Sequence, residues 1–478
     1  MTSTTIRSST LLLLTMLASS ACTAEAFSFQ SPTQQQQQQK GQQRQRQFVE
    51  SDIDVIRQRN TGSSTATTKT KKKMTVTPIK KDTTKLGTLT VPTVGIGTIS
   101  WSSNSFFDIE NDDLEELVDG ASEMTSKIDS PLFFDTAERY GSHTKTALGM
   151  GYGETEKMIR MFVDKDQNNN DNESNSNNKG RKGPVVVATK FTPLPWRTTA
   201  ESVVEACQQS CKNLGVDSID LYQVHMPDIV QPFRFFGQAK SKDSIYWDGL
   251  AECYHRGLVK NIGVCNYGPT LVEECQKALA ARGVPLASNQ IGYSLLGRHN
   301  GAQETLDKCN ELGVKVLAYY PFAMGLLTGK YTTNTKSDGQ EVISPLNAAD
   351  ASLFKNKKTG LERKDLARYA FGDGVTVPEG GIQPLLATMS AIAERKGKTV
   401  SQIALNYIIS KGAIPIPGCN SSSQLEDNFG AMGWRLTPTE IKILELEADK
   451  LGFGFDGAGF KRTNEKFVGY GVERWTLD

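Results

Sequence analysis

The sequence predicts an α/β protein, a closed (β/α)8 barrel with an N-terminal hairpin, a long loop after strand seven and a C-terminal tail. Three observations carry this. Eight short, β-branched apolar runs recur through the body of the 478-residue chain. Amphipathic helical patterns separate them, which is the signature of parallel strands covered on their outer face. Ionisable residues stand at the ends of successive runs, the rim where barrels of this class place their chemistry.

In chain order, Lys85–Pro92 reads as a hairpin capping the barrel floor. The eight strands are expected at Val94–Gly97, Leu132–Asp135, Val185–Thr189, Ile219–Gln223, Asn261–Cys265, Ala287–Ile291, Lys315–Tyr319 and Ile414–Pro417. Helices are expected at Asn111–Ser126, Thr199–Leu214, Tyr246–Arg256, Thr270–Arg282, Glu304–Leu312 and Val400–Ser410. Two segments break the rhythm. Gly329–Pro384 is a long connection with no clear strand, and loops of that length are functional or disordered. Gly452–Asp478 follows a last helix at Pro438–Leu451 and could fold over the barrel mouth. The stretch 166–182 is dominated by Asn, Asp and Ser and is expected as a disordered insert, because it cannot bury a core.

Residues 1–82 read as a presequence and linker, residues 83–451 as the barrel and residues 452–478 as the tail. The leader has Arg7, the apolar run Leu11–Leu14 continuing to Ala21, and small residues at Ala18–Ala26, as a signal peptide does. Ala26-Phe27 resembles the Phe-containing junction of bipartite plastid presequences. The Gln34–Gln39 run and Thr65–Lys73 then give a basic, acid-poor stretch of transit-peptide composition. Delivery to the plastid stroma is the expectation, and the secretory pathway is the alternative.

Charge and cysteine usage narrow the class. The net charge is +1, with 22% charged and 38% hydrophobic residues, as in a globular protein. The chain through Asp82 carries 12 Lys and Arg against 5 Asp and Glu, so the remainder is mildly acidic. That body has no basic patch for nucleic acid, and no segment is long and apolar enough for a membrane span. The 8 cysteines form no CxxC pair and no metal-ligand spacing, so no metal is expected. Cys207 and Cys211 stand one helical turn apart, open to reading as a redox pair or as ordinary packing. No segment suggests a partner helix, so a monomer or weak oligomer is expected.

The rim residues make one chemical set. Strand two ends in Asp135, strand three is followed by Lys190, strand four by His225, and Tyr140 lies five residues past Asp135. Reduction of a carbonyl needs a hydride and a proton for the developing alkoxide. A free phenol, with a pKa of about 10, is a poor acid at neutral pH. An adjacent ammonium should lower that value, a carboxylate keeps the ammonium oriented, and an imidazole can hold the substrate oxygen. A glycosidase would need two facing strand-end carboxylates, and Asp135 is the one clear strand-end acid.

With these residues in place, the chain resembles the aldo/keto reductases over about Leu86 to Leu451. Phe134-Asp135-Thr136-Ala137-Glu138-Arg139-Tyr140-Gly141 resembles the segment with the catalytic Asp and Tyr. Ala188-Thr189-Lys190 resembles that with the Lys, and Leu221-Tyr222-Gln223-Val224-His225-Met226-Pro227 that with the His. Leu194-Pro195-Trp196-Arg197 and Leu286-Ala287-Ser288-Asn289-Gln290 resemble chloroplast members from plants. The resemblance implies NADPH as cofactor, with NADH as the alternative. It implies that Cys265 (where the family usually has Ser), Asn266 and Gln290 hold the carboxamide and that Tyr319 stacks on the nicotinamide. Tyr320 replaces a usual Ser. Ile414-Pro415-Ile416-Pro417-Gly418 and Gln424-Leu425-Glu426-Asp427-Asn428 resemble the adenosine site, assigning Gly418, Asn420, Ser421, Gln424 and Asn428 to the cofactor. A helix N-terminus there favours phosphate, but Asn420 stands where relatives often carry Lys or Arg.

Gly95-Ile96-Gly97 is too short for a GxGxxG fingerprint. It reads as a tight turn after strand one, and the resemblance implies that Gly97 lies near the cofactor. The implied partner is a small aldehyde or ketone. Trp101, Phe106, Phe107, Trp196, Phe233, Phe235, Phe236 and Tyr246 could line an apolar pocket over the phenol or simply pack the loops, with Trp101 and Trp196 the preferred lining residues. The alternative to an enzyme is an NADP(H)-binding regulatory barrel with little turnover, as among relatives that serve as channel subunits.

Overall fold

The computed structural model describes residues 81–101, 111–127, 129–141, 152–168, 185–228, 241–299, 301–335, 341–345 and 382–451. The leader and the C-terminal tail lie outside the described residues. So do Phe106, Phe107, Phe233, Phe235 and Phe236 and the part of the Asn-rich insert after Asn168.

The hairpin comes first: β1 (Thr83–Leu86) pairs antiparallel with β2 (Leu89–Pro92). The barrel strands are β3 (Ile96–Gly97), β4 (Leu132–Asp135), β5 (Val185–Phe191), β6 (Leu221–Val224), β7 (Ile262–Cys265), β8 (Leu286–Gly292), β9 (Lys315–Tyr319) and β12 (Ile414–Pro415). They form one parallel sheet in the order β3-β4-β5-β6-β7-β8-β9-β12. The sheet closes on itself. The Gly95 N–H donates to the Pro415 carbonyl and the Gly97 N–H to the Pro417 carbonyl, both at 3.0 Å. This is the expected barrel. Ile96–Gly97 lies within the expected first strand and forms the closing seam, so the reading of it as a turn is corrected. Glycine suits the seam because a Cβ at Gly97 would stand 3.2 Å from the Ile416 and Pro417 carbonyl oxygens.

The helices are α1 (Asn111–Lys127), α2 (Glu154–Asn168), α3 (Ala200–Leu214), α4 (Asp243–His255), α5 (Pro269–Ala280), α6 (Ala302–Leu312), α7 (Gln383–Lys396), α8 (Val400–Ser410), α9 (Ser422–Phe429) and α10 (Pro438–Asp449). Their ends follow local chemistry. Thr199 caps α3, where its side chain accepts from the Ser202 N–H, and Gly215 ends it in the left-handed conformation. Thr399 and Thr437 make capping boxes with Gln402 and Glu440. Helix α2 runs through Asn168, so the start of the insert expected as disordered is helical. The connection after β9 also departs from expectation: β10 (Tyr331–Thr335) and β11 (Glu341–Pro345) form an antiparallel hairpin there. Tyr-Thr-Thr-Asn-Thr is rich in β-branched residues, but it lacks the apolar period that announces a buried strand.

Alternation along the strands divides the core in two. Phe133, Val186, Ala188, Leu221, Ala287, Leu317, Ile414 and Ile416 fill the barrel, plugged by Leu86 and Val91 of the hairpin. Leu132, Phe134, Val187 and Tyr222 belong to the larger layer that includes the helices. No helix among the described residues is long and apolar enough to cross a membrane.

Among the barrel strands, close approach is tight beside Gly263 on β7, where an added Cβ would stand 2.2 Å from Ser288 Oγ and 2.9 Å from Gln223 Cγ. Gly263→Ala should destabilise the barrel by about 1–3 kcal/mol, measured as a lower denaturant midpoint with an unchanged m-value.

Candidate active site

The register of β4, β5 and β6 aligns three rim positions. Asp135 ends β4 opposite Ala188, Lys190 of β5 pairs with Gln223, and His225 follows β6 directly. Lys190 is fully buried and its ammonium has three donors. They go to Asp135 Oδ2 at 2.8 Å, the Thr136 carbonyl at 2.7 Å and the Tyr140 hydroxyl at 3.3 Å. Asp135 Oδ1 accepts from Gln290 Nε2 at 2.7 Å. The Tyr140 and His225 rings meet edge to face with centroids 5.8 Å apart. The four side chains therefore converge.

A second ion pair holds the loop that carries the phenol. Ala137 to Tyr140 is a tight turn, closed by the Tyr140 N–H on the Ala137 carbonyl at 3.0 Å. Inside it, Glu138 Oε1 accepts from the Thr192 N–H at 2.6 Å and from Arg197 Nη1 at 2.5 Å, while Arg197 Nη2 donates to Oε2 at 3.2 Å. The Arg197 guanidinium lies over the Phe191 ring, 4.9 Å from its centroid. Both residues stand in the quoted motifs, but spacing gave neither a role, because an acid–base pair 59 residues apart has no sequence signal.

The electrostatics correct one expectation. Burial pushes the Tyr140 phenol up to about 12, and the Lys190 ammonium opposes this without overcoming it. Burial also works against the charged form of Lys190, but the Asp135 carboxylate and the Tyr140 oxygen outweigh it, so its pKa is raised. His225 is held well below its ordinary value by burial, then by the Lys190 and Arg139 charges, so its ring is neutral at neutral pH. Its Nδ1 atom is buried with no hydrogen-bond partner among the described residues.

Beside these four, Asn266 adopts the left-handed conformation at φ 64°. Its amide donates to the His225 carbonyl at 2.9 Å and accepts from the Tyr319 hydroxyl at 2.6 Å, and its N–H donates to the Gln290 carbonyl at 2.7 Å. Asn266, Gln290 and Tyr319 thus form one network with the rim set, and Cys265 is buried next to it. A separate group surrounds the start of α9. Ser421 is the N-cap and accepts from the Gln424 N–H. The Asn420 N–H donates to Gln424 Oε1 at 2.9 Å, and its side-chain oxygen accepts from Ser100 Oγ at 2.6 Å. Asn428 is buried, and Ser422 donates to the Glu116 carboxylate at 3.1 Å. Gly418, bridged to Gly97, joins this group to the rim strand carrying Asp135.

Trp101, a preferred lining residue, and Tyr246, left open between lining and packing, both pack inward. Trp101 is buried in the core, edge-on to Phe134, with its indole N–H on the Cys419 carbonyl at 2.9 Å. Tyr246 is buried in α4, its hydroxyl donating to the Arg197 carbonyl at 3.0 Å. Trp196 is 63% exposed, in the loop after β5. Cys207 and Cys211 are free, buried thiols.

The Aldo/keto reductase family model matches residues 93–446. The chain belongs to that family of oxidoreductases. It is 33% identical over 367 residues to a chloroplastic pyridoxal reductase of Arabidopsis thaliana, covering 76% of this chain and 85% of the relative. It is 28% identical over 308 residues to an aldo-keto reductase of Strobilurus tenacellus, covering 63% of this chain and 75% of the relative. Among solved structures, an aldo-keto reductase of the silkworm Bombyx mori complexed with NADPH matches with a TM-score of 0.51 at 22% identity, over 84% of this chain and 94% of the other. A glycerol dehydrogenase of Gluconobacter oxydans matches with a TM-score of 0.53 at 18% identity, over 78% of this chain and 96% of the other. These two share the fold.

The Lys190–Asp135 pair has side-chain exposures of 0% and 5%. Removing one partner leaves the other charge buried, at a cost of about 3–5 kcal/mol. Lys190→Met should therefore cost that much stability in denaturant titration, and Asp135→Asn added to it should restore part of the loss.

Proposed function

We propose that this chain reduces an aldehyde or ketone to the alcohol with a nicotinamide dinucleotide, Tyr140 giving the proton. The observation that carries the reading is the single ammonium of Lys190 bonded at once to Asp135 and to the Tyr140 hydroxyl, with the His225 ring against the phenol. The donor set suits such a cofactor. The Gln290 amide gives its N–H to Asp135 and keeps its carbonyl for a carboxamide N–H. Asn266 and Cys265 would flank the carboxamide, and the Tyr319 ring would cover the nicotinamide. Gly97, Gly418, Asn420, Ser421, Gln424 and Asn428 would hold the adenosine end. When bound, the nicotinamide supplies the hydride. NADPH is the proposed form, with NADH as the alternative, because Asn420 and Glu116 bring no positive charge to that end.

The protein's own part is positional and electrostatic. His225, neutral, donates a hydrogen bond to the carbonyl oxygen and sets its approach. The Tyr140 hydroxyl transfers its proton to that oxygen as charge develops. Lys190 stabilises the phenolate left behind, and Asp135 keeps the ammonium aimed. A phenol raised to about 12 stays protonated through the neutral range, so it is always loaded for reduction.

An aromatic aldehyde of the pyridoxal kind is the proposed substrate class, supported by the Arabidopsis relative and by Trp196 exposed after β5. Residues 83–451 are the proposed catalytic barrel, residues 1–82 the presequence and linker, and residues 452–478 a tail over the barrel mouth. Plastid delivery is supported by the leader's composition and by the chloroplastic relative.

NADPH consumption across an aldehyde panel that includes pyridoxal tests the reading. Tyr140→Phe should abolish turnover while leaving the cofactor dissociation constant, read by tryptophan fluorescence, nearly unchanged. The wild-type reduction rate should be flat through neutral pH and fall only as the pH rises toward about 12. Cofactor binding without turnover of any carbonyl would contradict the proposal.

A further inference from the structure

Around the phenol, three ion pairs among the described residues leave Arg139 out. Asp135 pairs with Lys190 at 2.8 Å, Glu138 with Arg197 at 2.5 Å, and Asp228, three residues past His225, with Lys242 at 3.6 Å. Arg139 is the cation left over. It stands at the corner of the Ala137–Tyr140 turn, between the two residues whose side chains are tied down. Glu138 is bonded inward to Arg197, and the Tyr140 hydroxyl is bonded to Lys190. The Arg139 side chain is exposed and has no hydrogen bond or ion pair among the described residues. An unpaired guanidinium carries five donors in a planar fork suited to an anionic oxygen.

From this placement we infer that Arg139 binds an anionic group on the substrate, so that the site selects aldehydes bearing a carboxylate or phenolate on the ring over their neutral counterparts. The inference rests on the reductase reading of the Tyr140 site. Its position agrees with the field at the imidazole: the Arg139 charge reaches His225, where it adds to the effects of burial and Lys190. It also reaches the Tyr152 phenol. A substrate whose carbonyl oxygen meets Tyr140 would therefore lie within the field of this charge. The neighbouring Glu138 does not compete for Arg139, because both its oxygens are held by Arg197.

The test compares matched aldehydes with wild type, Arg139→Gln and Arg139→Lys. Benzaldehyde is set against meta- and para-carboxybenzaldehyde, and isonicotinaldehyde against its ortho-hydroxy derivative, so that carboxylate and phenolate are read separately. Wild type should favour the charged member in kcat/KM by about tenfold or more, the size of a charge-assisted hydrogen bond. Arg139→Gln should bring that ratio close to unity, chiefly through KM of the charged member, and Arg139→Lys should keep part of it. Raised salt should erode the wild-type ratio. A ratio that Arg139→Gln leaves unchanged overturns the anion site and leaves the reductase reading standing. Tryptophan fluorescence titration with the same compounds reads charge selectivity without turnover. Arg139-dependent selectivity in binding, with no aldehyde reduced, keeps the anion site and overturns the reductase reading.

Discussion

One buried ion pair organises the active rim. Lys190 lies at the end of a parallel strand, out of water, where an ammonium is costly unless it is paired and fully hydrogen-bonded. Asp135 meets the charge, and the Thr136 carbonyl and the Tyr140 hydroxyl take the remaining donors. Satisfying the ammonium therefore positions the phenol. The same charge acts with burial to keep His225 neutral. Stability and chemistry share a cause here: the geometry that makes a buried lysine tolerable also presents a phenol and a neutral imidazole together.

Strand register makes the pair available. Lys190 and Asp135 come from adjacent parallel strands, and parallel pairing without slippage puts their side chains on the same rim. Register depends in turn on the closed barrel, whose seam is made by Gly95 and Gly97 against the chain beside β12. The Glu138–Arg197 pair then fixes the turn between Asp135 and Tyr140 from the far side, so the phenol is held at both ends of its loop.

Much of this was legible in the sequence. Most barrel strands were short apolar runs, such as Val185–Phe191 and Ile262–Cys265, because a strand buried on both faces is apolar along most of its length. The polar residues that end those runs, Asp135, Lys190 and His225, stand out against them. What spacing could not show was direction and competition. Burial outweighs Lys190 at the phenol, an outcome that depends on desolvation and not on which neighbours are present. Trp101 and Tyr246 are aromatic like pocket residues, but they pack inward onto Cys419 and Arg197, contacts 318 and 49 residues away. The β10–β11 hairpin pairs a mostly polar strand with one whose apolar residues Val342 and Ile343 are adjacent, so it has no hydrophobic period to announce it.

The most direct test is the titration of Tyr140 itself, followed by nuclear magnetic resonance of ring-labelled tyrosine and assigned by the signal missing from Tyr140→Phe. The account predicts that this phenol remains protonated past the ordinary tyrosine value of 10.0, toward about 12. A phenolate appearing below 10.0 would contradict it, since the ammonium would then outweigh burial and the residue would not stand loaded as an acid.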